Sequence, residues 1–195
     1  MKQMIPIYGP WIQGYSYDQH TISSNLIGHD EYGRPMFDTQ RTDIGNFVHQ
    51  LKYCHDNNVI PKIINLLNND SAFISLIKEI DYIIPIPPSN KERLSQPVFV
   101  VAKEIASKFK ITFHNIIESS NNIQIKNITN KDEKRKLLEK SITIKTNNLD
   151  KSKKILLFDD IFDSGDTLTI ATKILNNKGF KNIVVFTLTK TRIPD

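Results

Sequence analysis

Ile155-Leu156-Leu157-Phe158-Asp159-Asp160-Ile161-Phe162-Asp163-Ser164-Gly165-Asp166-Thr167-Leu168 decides how this chain is read. An apolar run from Ile155 to Phe158 leads into two adjacent acids. The run is short and bounded, which predicts a buried strand from Lys154 to Phe158. A turn with Asp, Ser, Gly and Thr follows, and an apolar helical pattern starts at Leu168. Such a turn sets hydroxyls, a glycine and backbone N–H groups at a helix N-terminus, where an anion is stabilised. Two carboxylates at the strand end can accept hydrogen bonds from vicinal hydroxyls. Acids for a sugar diol beside a cradle for a phosphate read together as a ribose-5-phosphate site.

Each part has a plainer reading. Thr167 can cap the helix by accepting a first-turn amide. Asp159 and Asp160 can be polar residues closing a strand. Their combination at the carboxyl end of a strand, where open α/β sheets bind ligands, favours the ligand site.

A second anion loop is expected at Asp81-Tyr82-Ile83-Ile84-Pro85-Ile86-Pro87-Pro88-Ser89-Asn90-Lys91-Glu92-Arg93. An apolar strand runs into a proline-rich loop, and Pro97 then starts a helix from Val98 to Phe109. Pro87, Pro88, Ser89, Asn90, Lys91 and Arg93 form either a rigid solvated loop or a second phosphate cradle.

Elsewhere the pattern alternates. Trp11–Tyr17 is a candidate strand, and Asp30-Glu31-Tyr32-Gly33-Arg34-Pro35 is a turn signal, so a hairpin or small sheet is expected near the N-terminus. Helical periodicity begins at Thr42 with Ile44, Phe47, Val48 and Leu51 on one face. Pro61 starts a second helix and Phe73–Glu79 a third. These helices are expected to cap the core, which divides the chain into a cap over residues 1–78 and a core over 79–195. Strands are expected over Ile111–Glu118, Ile142–Lys145 and Asn182–Leu188, and a helix over Thr167–Asn176 that Gly179 ends. Alternating strands and helices predict an α/β fold with a parallel, doubly wound sheet, carrying an N-terminal hairpin and helical cap.

The motif Asp159–Thr167 resembles the phosphoribosyl-pyrophosphate (PRPP) motif of type I phosphoribosyltransferases. That resemblance implies that Asp159 and Asp160 hold the ribose hydroxyls and Mg²⁺, the metal largely through PRPP and water. It implies that Asp163, Ser164, Gly165, Asp166 and Thr167 wrap the 5′-phosphate, and that Asp163 lies near the acceptor and assists proton transfer. It places the pyrophosphate loop at Pro87–Arg93. It also places a mobile basic loop with Lys126, Lys131 and Arg135 over the bound donor; a solvated helix over Asp132–Lys140 accounts equally well for most of those charges. The implied activity is transfer of ribose-5-phosphate from PRPP to an unidentified nitrogen acceptor, a glycosyltransferase reaction of nucleotide metabolism, in a family where homodimers are common.

The order of Asp81–Pro87, the Gln124 region, the Lys/Arg-rich stretch and Asp159-Asp160, with Leu51-Lys52-Tyr53 ahead of them, looks like ComF-type (competence protein F) members over roughly residues 44 to 195. Their zinc element is missing, since Cys54 is the single cysteine. This second likeness implies an alternative: a non-catalytic PRPP or nucleotide sensor working with single-stranded DNA, DNA-processing or phage-defence partners.

At 195 residues the chain fits one large α/β domain or one with an added element. Net charge is +5 and pI about 9.2, which favours anionic ligands and equally describes a lysine-rich solvated surface. One cysteine excludes an internal disulfide and fits a reducing compartment. No apolar run approaches the length of a membrane span, and the N-terminus lacks the apolar core of a signal peptide, so a cytoplasmic protein is expected. His20, His29, His49 and His55 match no standard metal-ligand spacing and read as surface or hydrogen-bonded histidines.

Overall fold

The computed structural model describes residues 3–88, 96–120, 131–146 and 148–191, except for the side chains of residues 131, 132 and 134. Ser89, Asn90, Lys91 and Arg93 of the expected pyrophosphate loop lie outside the described residues, as do Lys126 and the side chain of Lys131. The elements run β1 (Ile5–Pro6), β2 (Gln13–Gln19), β3 (Thr21–His29), β4 (Pro35–Arg41), α1 (Asp43–Tyr53), α2 (Ile60–Asn68), α3 (Ser71–Ile77), β5 (Tyr82–Pro85), α4 (Pro97–Phe109), β6 (Thr112–Phe113), β7 (Ile117–Ser119), α5 (Lys131–Ser141), β8 (Ile142–Ile144), β9 (Ile155–Phe162), α6 (Asp166–Asn177) and β10 (Ile183–Lys190).

The central sheet has the order β1-β2-β10-β9-β5-β6. All neighbours are parallel except β1, which runs antiparallel to β2. β9 and β10 are central, and a central parallel strand is covered on both faces, hence the unbroken apolar runs Ile155–Phe158 and Ile183–Phe186. On one face Leu156, Phe158, Val184 and Phe186 meet α1 to α4 through Val48, Leu51, Ile63, Phe73, Val101 and Ile105. On the other, Ile155, Leu157, Ile183 and Val185 meet Leu168, Ala171 and Leu175 of α6, with Leu138 of α5 and Ile117, Ile142 and Ile144 of the β7–β8 pair. Helices therefore cover both faces, and the α/β, doubly wound expectation holds.

Three details differ from the sequence expectation. β1 and β2 belong to the central sheet, so that sheet draws on both the expected cap (1–78) and the expected core (79–195). The physical reason is the β2–β10 pairing, which buries Ser16 and Tyr17 and extends from Gln13 to Gln19. The motif strand does not stop at Phe158; pairing with β10 carries it to Phe162, so the acids sit within the carboxyl-terminal half of β9. The stretch expected as one strand over Ile111–Glu118 is two, with β6 at the sheet edge and β7 paired to β8 outside that sheet.

The remaining hairpin, β3–β4, forms its own two-stranded sheet. Its turn falls where the sequence places it: Asp30 Oδ1 accepts from the amides of Tyr32 and Arg34, and Gly33 takes φ +73°.

Candidate functional site

Two crossovers leave the middle of the sheet in opposite directions. From β5 the chain passes through α4 on one face to β6; from β9 it passes through α6 on the other face to β10. β5 and β9 are neighbours, so the crevice beyond their carboxyl ends is the switch point at which doubly wound sheets bind ligands. Ile86 continues the pairing by donating its amide to Phe158 O at 2.8 Å. Pro87 and Pro88, half-buried, therefore leave the sheet directly beside the acid pair. The crevice is walled by the start of the second loop on one side and by Asp159, Asp160 and the β9–α6 turn on the other.

The turn is built around Gly165. Its φ is +73°, and a Cβ there would lie 2.7 Å from the Phe162 ring, so any other residue meets both strain and a clash. Gly165 is also the residue that caps α6, in place of Thr167, which falls inside the first turn. The first amides of a helix lack intrahelical acceptors and face outward with the positive end of its dipole. Around them, the Ser164 hydroxyl donates to Asp166 Oδ2 at 2.9 Å. Asp163 Oδ1 accepts from the Thr191 hydroxyl at 2.9 Å, which ties the turn to the end of β10.

The two acids are not equivalent. Burial pushes the Asp159 carboxyl well above the usual carboxylate range, and the neighbouring Asp160 charge adds to the shift. Asp160, 6% exposed, forms an ion pair at 3.0 Å with Lys52 Nζ of α1. Asp159 Oδ1 accepts from the Asp160 amide at 2.8 Å. The pair thus joins one carboxyl pushed toward its protonated form with one partnered by a lysine. Among the described residues no group of three or more His, Cys, Asp or Glu is placed to hold a metal. With Asp160 engaged by Lys52 and Asp159 pushed toward its protonated form, these side chains do not fit a protein-held Mg²⁺ site.

The structure adds residues on the N-terminal side of the acids that the motif reading did not include. His20 follows β2, donates its amide to Lys190 O at 2.7 Å, and brings Nδ1 to 3.1 Å from Thr189 Oγ1. The Thr189 hydroxyl donates in turn to Asp160 O at 3.4 Å. Arg41 ends β4 opposite Thr21, and His49 and Lys52 lie on α1. α1 packs tightly on this corner: a Cβ on Gly45 would fall 2.1 Å from His20 O. Burial lowers the pKa of His20, and the nearby Arg41, His49 and Lys52 charges lower it further. His49 is lowered by burial and then by Arg41. The sequence signal was Leu51-Lys52-Tyr53 at a helix end; nothing local tied it to an aspartate 108 positions away. His29 and His55 lie exposed, and Arg135 on α5 lies 3.9 Å from Glu139 in an exposed ion pair.

No protein-family model and no curated protein matches this sequence. Solved structures of phosphoribosyltransferases align with much of this chain at low similarity. An adenine phosphoribosyltransferase aligns over 87% of this chain and 85% of its own at 12% identity, with a TM-score of 0.47. Orotate phosphoribosyltransferase from Aeropyrum pernix aligns over 88% and 76% at 9% identity and 0.45. Adenine phosphoribosyltransferase from Trypanosoma brucei, solved with AMP, pyrophosphate and ribose-5-phosphate, aligns over 97% and 87% at 11% identity and 0.45. At these identities and scores the likeness assigns no residue a role. No helix among the described residues is long and apolar enough to cross a membrane.

Proposed function

We propose that this protein binds PRPP as its Mg²⁺ complex and transfers ribose-5-phosphate to a nitrogen acceptor. One observation carries the reading: an acid pair at the switch point runs directly into a Gly165-centred turn that opens a helix N-terminus. Asp160 accepts from one ribose hydroxyl while Asp159, protonated more readily, can donate to or accept from the other. The α6 amides, Ser164 and Thr167 hold the 5′-phosphate, displacing the Asp166 carboxylate from the Ser164 hydroxyl. Pyrophosphate leaves C1′ with the bonding electron pair as the acceptor nitrogen forms its bond to that carbon. The acceptor proton passes to Asp163, which the Thr191 hydroxyl orients. Mg²⁺ carried on the substrate phosphates would neutralise the charge of the departing pyrophosphate.

Calorimetry with Mg²⁺ and PRPP on the wild type and on Asp159→Asn/Asp160→Asn tests the donor site. Binding by the wild type and its loss in the double variant is the expected result; a wild type that does not bind overturns the reading. Pyrophosphate release over a panel of bases tests the transfer. A second reading, a ComF-like sensor that binds PRPP without turnover and acts with DNA-processing partners, is favoured by Asp166, whose carboxylate occupies the Ser164 hydroxyl where a phosphate would sit. Binding without pyrophosphate release selects it.

A further inference from the structure

Beside the acid pair, the carboxyl end of the sheet is lined by a group of basic side chains that the donor reading leaves unused. His20, just after β2, Arg41 at the end of β4, and His49 and Lys52 on α1 lie on one corner. His49 and Lys52 are three apart on α1 and share the face that Gly45 presses against His20. Asp160 faces them and is held by Lys52, and the Lys52 charge also reaches Asp159. Arg41 Nε is buried with no hydrogen-bond partner among the described residues, and so is Gln19 Oε1, one residue before His20. A buried guanidinium nitrogen without a partner costs free energy unless an acceptor completes it.

We infer that this corner is the acceptor subsite and that it selects an anionic acceptor, a nitrogen heterocycle carrying a carboxylate. The inference rests on the donor reading above for the meaning of "acceptor"; the anion site stands on the basic group itself. Its position fits: Thr189 links the His20 ring to the Asp160 carbonyl, so a ligand held by His20 and Arg41 lies alongside the ribose-binding acids. The Thr189 hydroxyl gives its proton to Asp160 O and so accepts at its lone pair from His20 Nδ1–H. That leaves His20 Nε2 to accept from a ring N–H of the ligand, while Arg41 takes the carboxylate. Arg41 supplies a permanent charge in planar geometry suited to a carboxylate.

The test uses the full chain with isotope-labelled histidines, followed by NMR during titration with two probe pairs. Orotate and uracil share a ring and differ by a carboxylate; nicotinate and nicotinamide differ in its charge. Each is titrated with and without Mg²⁺ and PRPP. At least one carboxylate is expected to bind tenfold or more tightly than its neutral counterpart and to move the His20 and His49 signals. Arg41→Gln should erase that advantage, whereas Lys173→Gln, which removes the same charge from the exposed face of α6, should keep it. Neutral and anionic probes of equal affinity, or histidine signals that neither carboxylate moves, overturn the inference. If Mg²⁺ and PRPP alone move His20 and His49, the corner belongs to the donor and the acceptor assignment falls. If carboxylates bind there and PRPP does not bind at all, the donor reading fails while the anion site survives.

Discussion

The two sides of the crevice are assembled in opposite ways. The side of the β9–α6 turn is continuous in sequence: strand, acid pair, glycine and helix start lie between Ile155 and Asn177. The other side is gathered from β2, β4 and α1, with Lys52 meeting Asp160 across 108 positions. The local side owes its shape to backbone geometry, since Gly165 and the first turn of α6 set it whatever surrounds them. The gathered side exists only because the helix packs on the sheet. Damage should therefore differ in emphasis: the largest loss of ligand affinity on the local side, and the largest loss of stability on the gathered side.

The largest effect is expected on the local side. Asp159→Asn/Asp160→Asn replaces two carboxyl groups with amides, which keep one neutral acceptor each and lose the Asp160 charge and the Asp159 hydroxyl; with charge-assisted hydrogen bonds worth about 1.5–3 kcal/mol, PRPP affinity should fall about 100-fold by calorimetry. An unchanged affinity would show that the acids do not hold the sugar.

Lys52→Met is the matching cut on the gathered side. It leaves Asp160, with a side chain 9% exposed, buried without its cation, and should lower stability by about 3 kcal/mol in denaturant unfolding. Lys52→Arg should recover most of that. A neutral effect of Lys52→Met would show the ion pair to be incidental.

Gly165→Ala should cost about 2 kcal/mol, for the left-handed backbone and the Phe162 contact at 2.7 Å, and should weaken phosphate binding in the same measurement. Loss of stability with intact affinity would separate the turn from the ligand.

A fourth variant sharpens the difference between the acids through pH. The Asp159 pKa is raised in the folded protein above its ordinary 3.8, so the native state holds that proton more tightly than the unfolded chain does. The resulting stability is fully present below about pH 3.8 and is lost as pH rises through the raised folded value. Asp159→Asn lacks that loss. Thermal melts from acid to neutral pH should show the variant gaining on the wild type as pH rises, while its PRPP affinity declines.

The smallest effect is expected at Thr191→Val, which frees Asp163 from a hydroxyl 2.9 Å away. Turnover should fall about fivefold, as for one hydrogen bond of about 1 kcal/mol, with PRPP affinity unchanged. Equal losses in both would assign Asp163 to binding rather than to proton transfer.

Much of the fold was legible without coordinates because its signals are short-range. The apolar runs of β9 and β10, the prolines that open α2 and α4, and the Asp30–Arg34 turn lie where periodicity and turn chemistry put them. The readings that moved did so for tertiary reasons. The reach of β9 to Phe162 follows from pairing with β10, and the entry of β2 into the sheet follows from pairing with the far end of the chain. Thr167 yields the cap to Gly165 because the chain needs a left-handed residue to turn around Phe162.

Sequence alone settled that an acidic pair enters a glycine turn before a helix, because that arrangement needs only neighbouring residues and backbone geometry. Tertiary structure alone decided that the two acids differ. Burial lifts the proton affinity of Asp159, while Lys52 pairs with Asp160. It alone brought His20, Arg41 and His49 to the same corner as that lysine, for side chains so distant in sequence meet only when α1 docks on the ends of β2, β10 and β9.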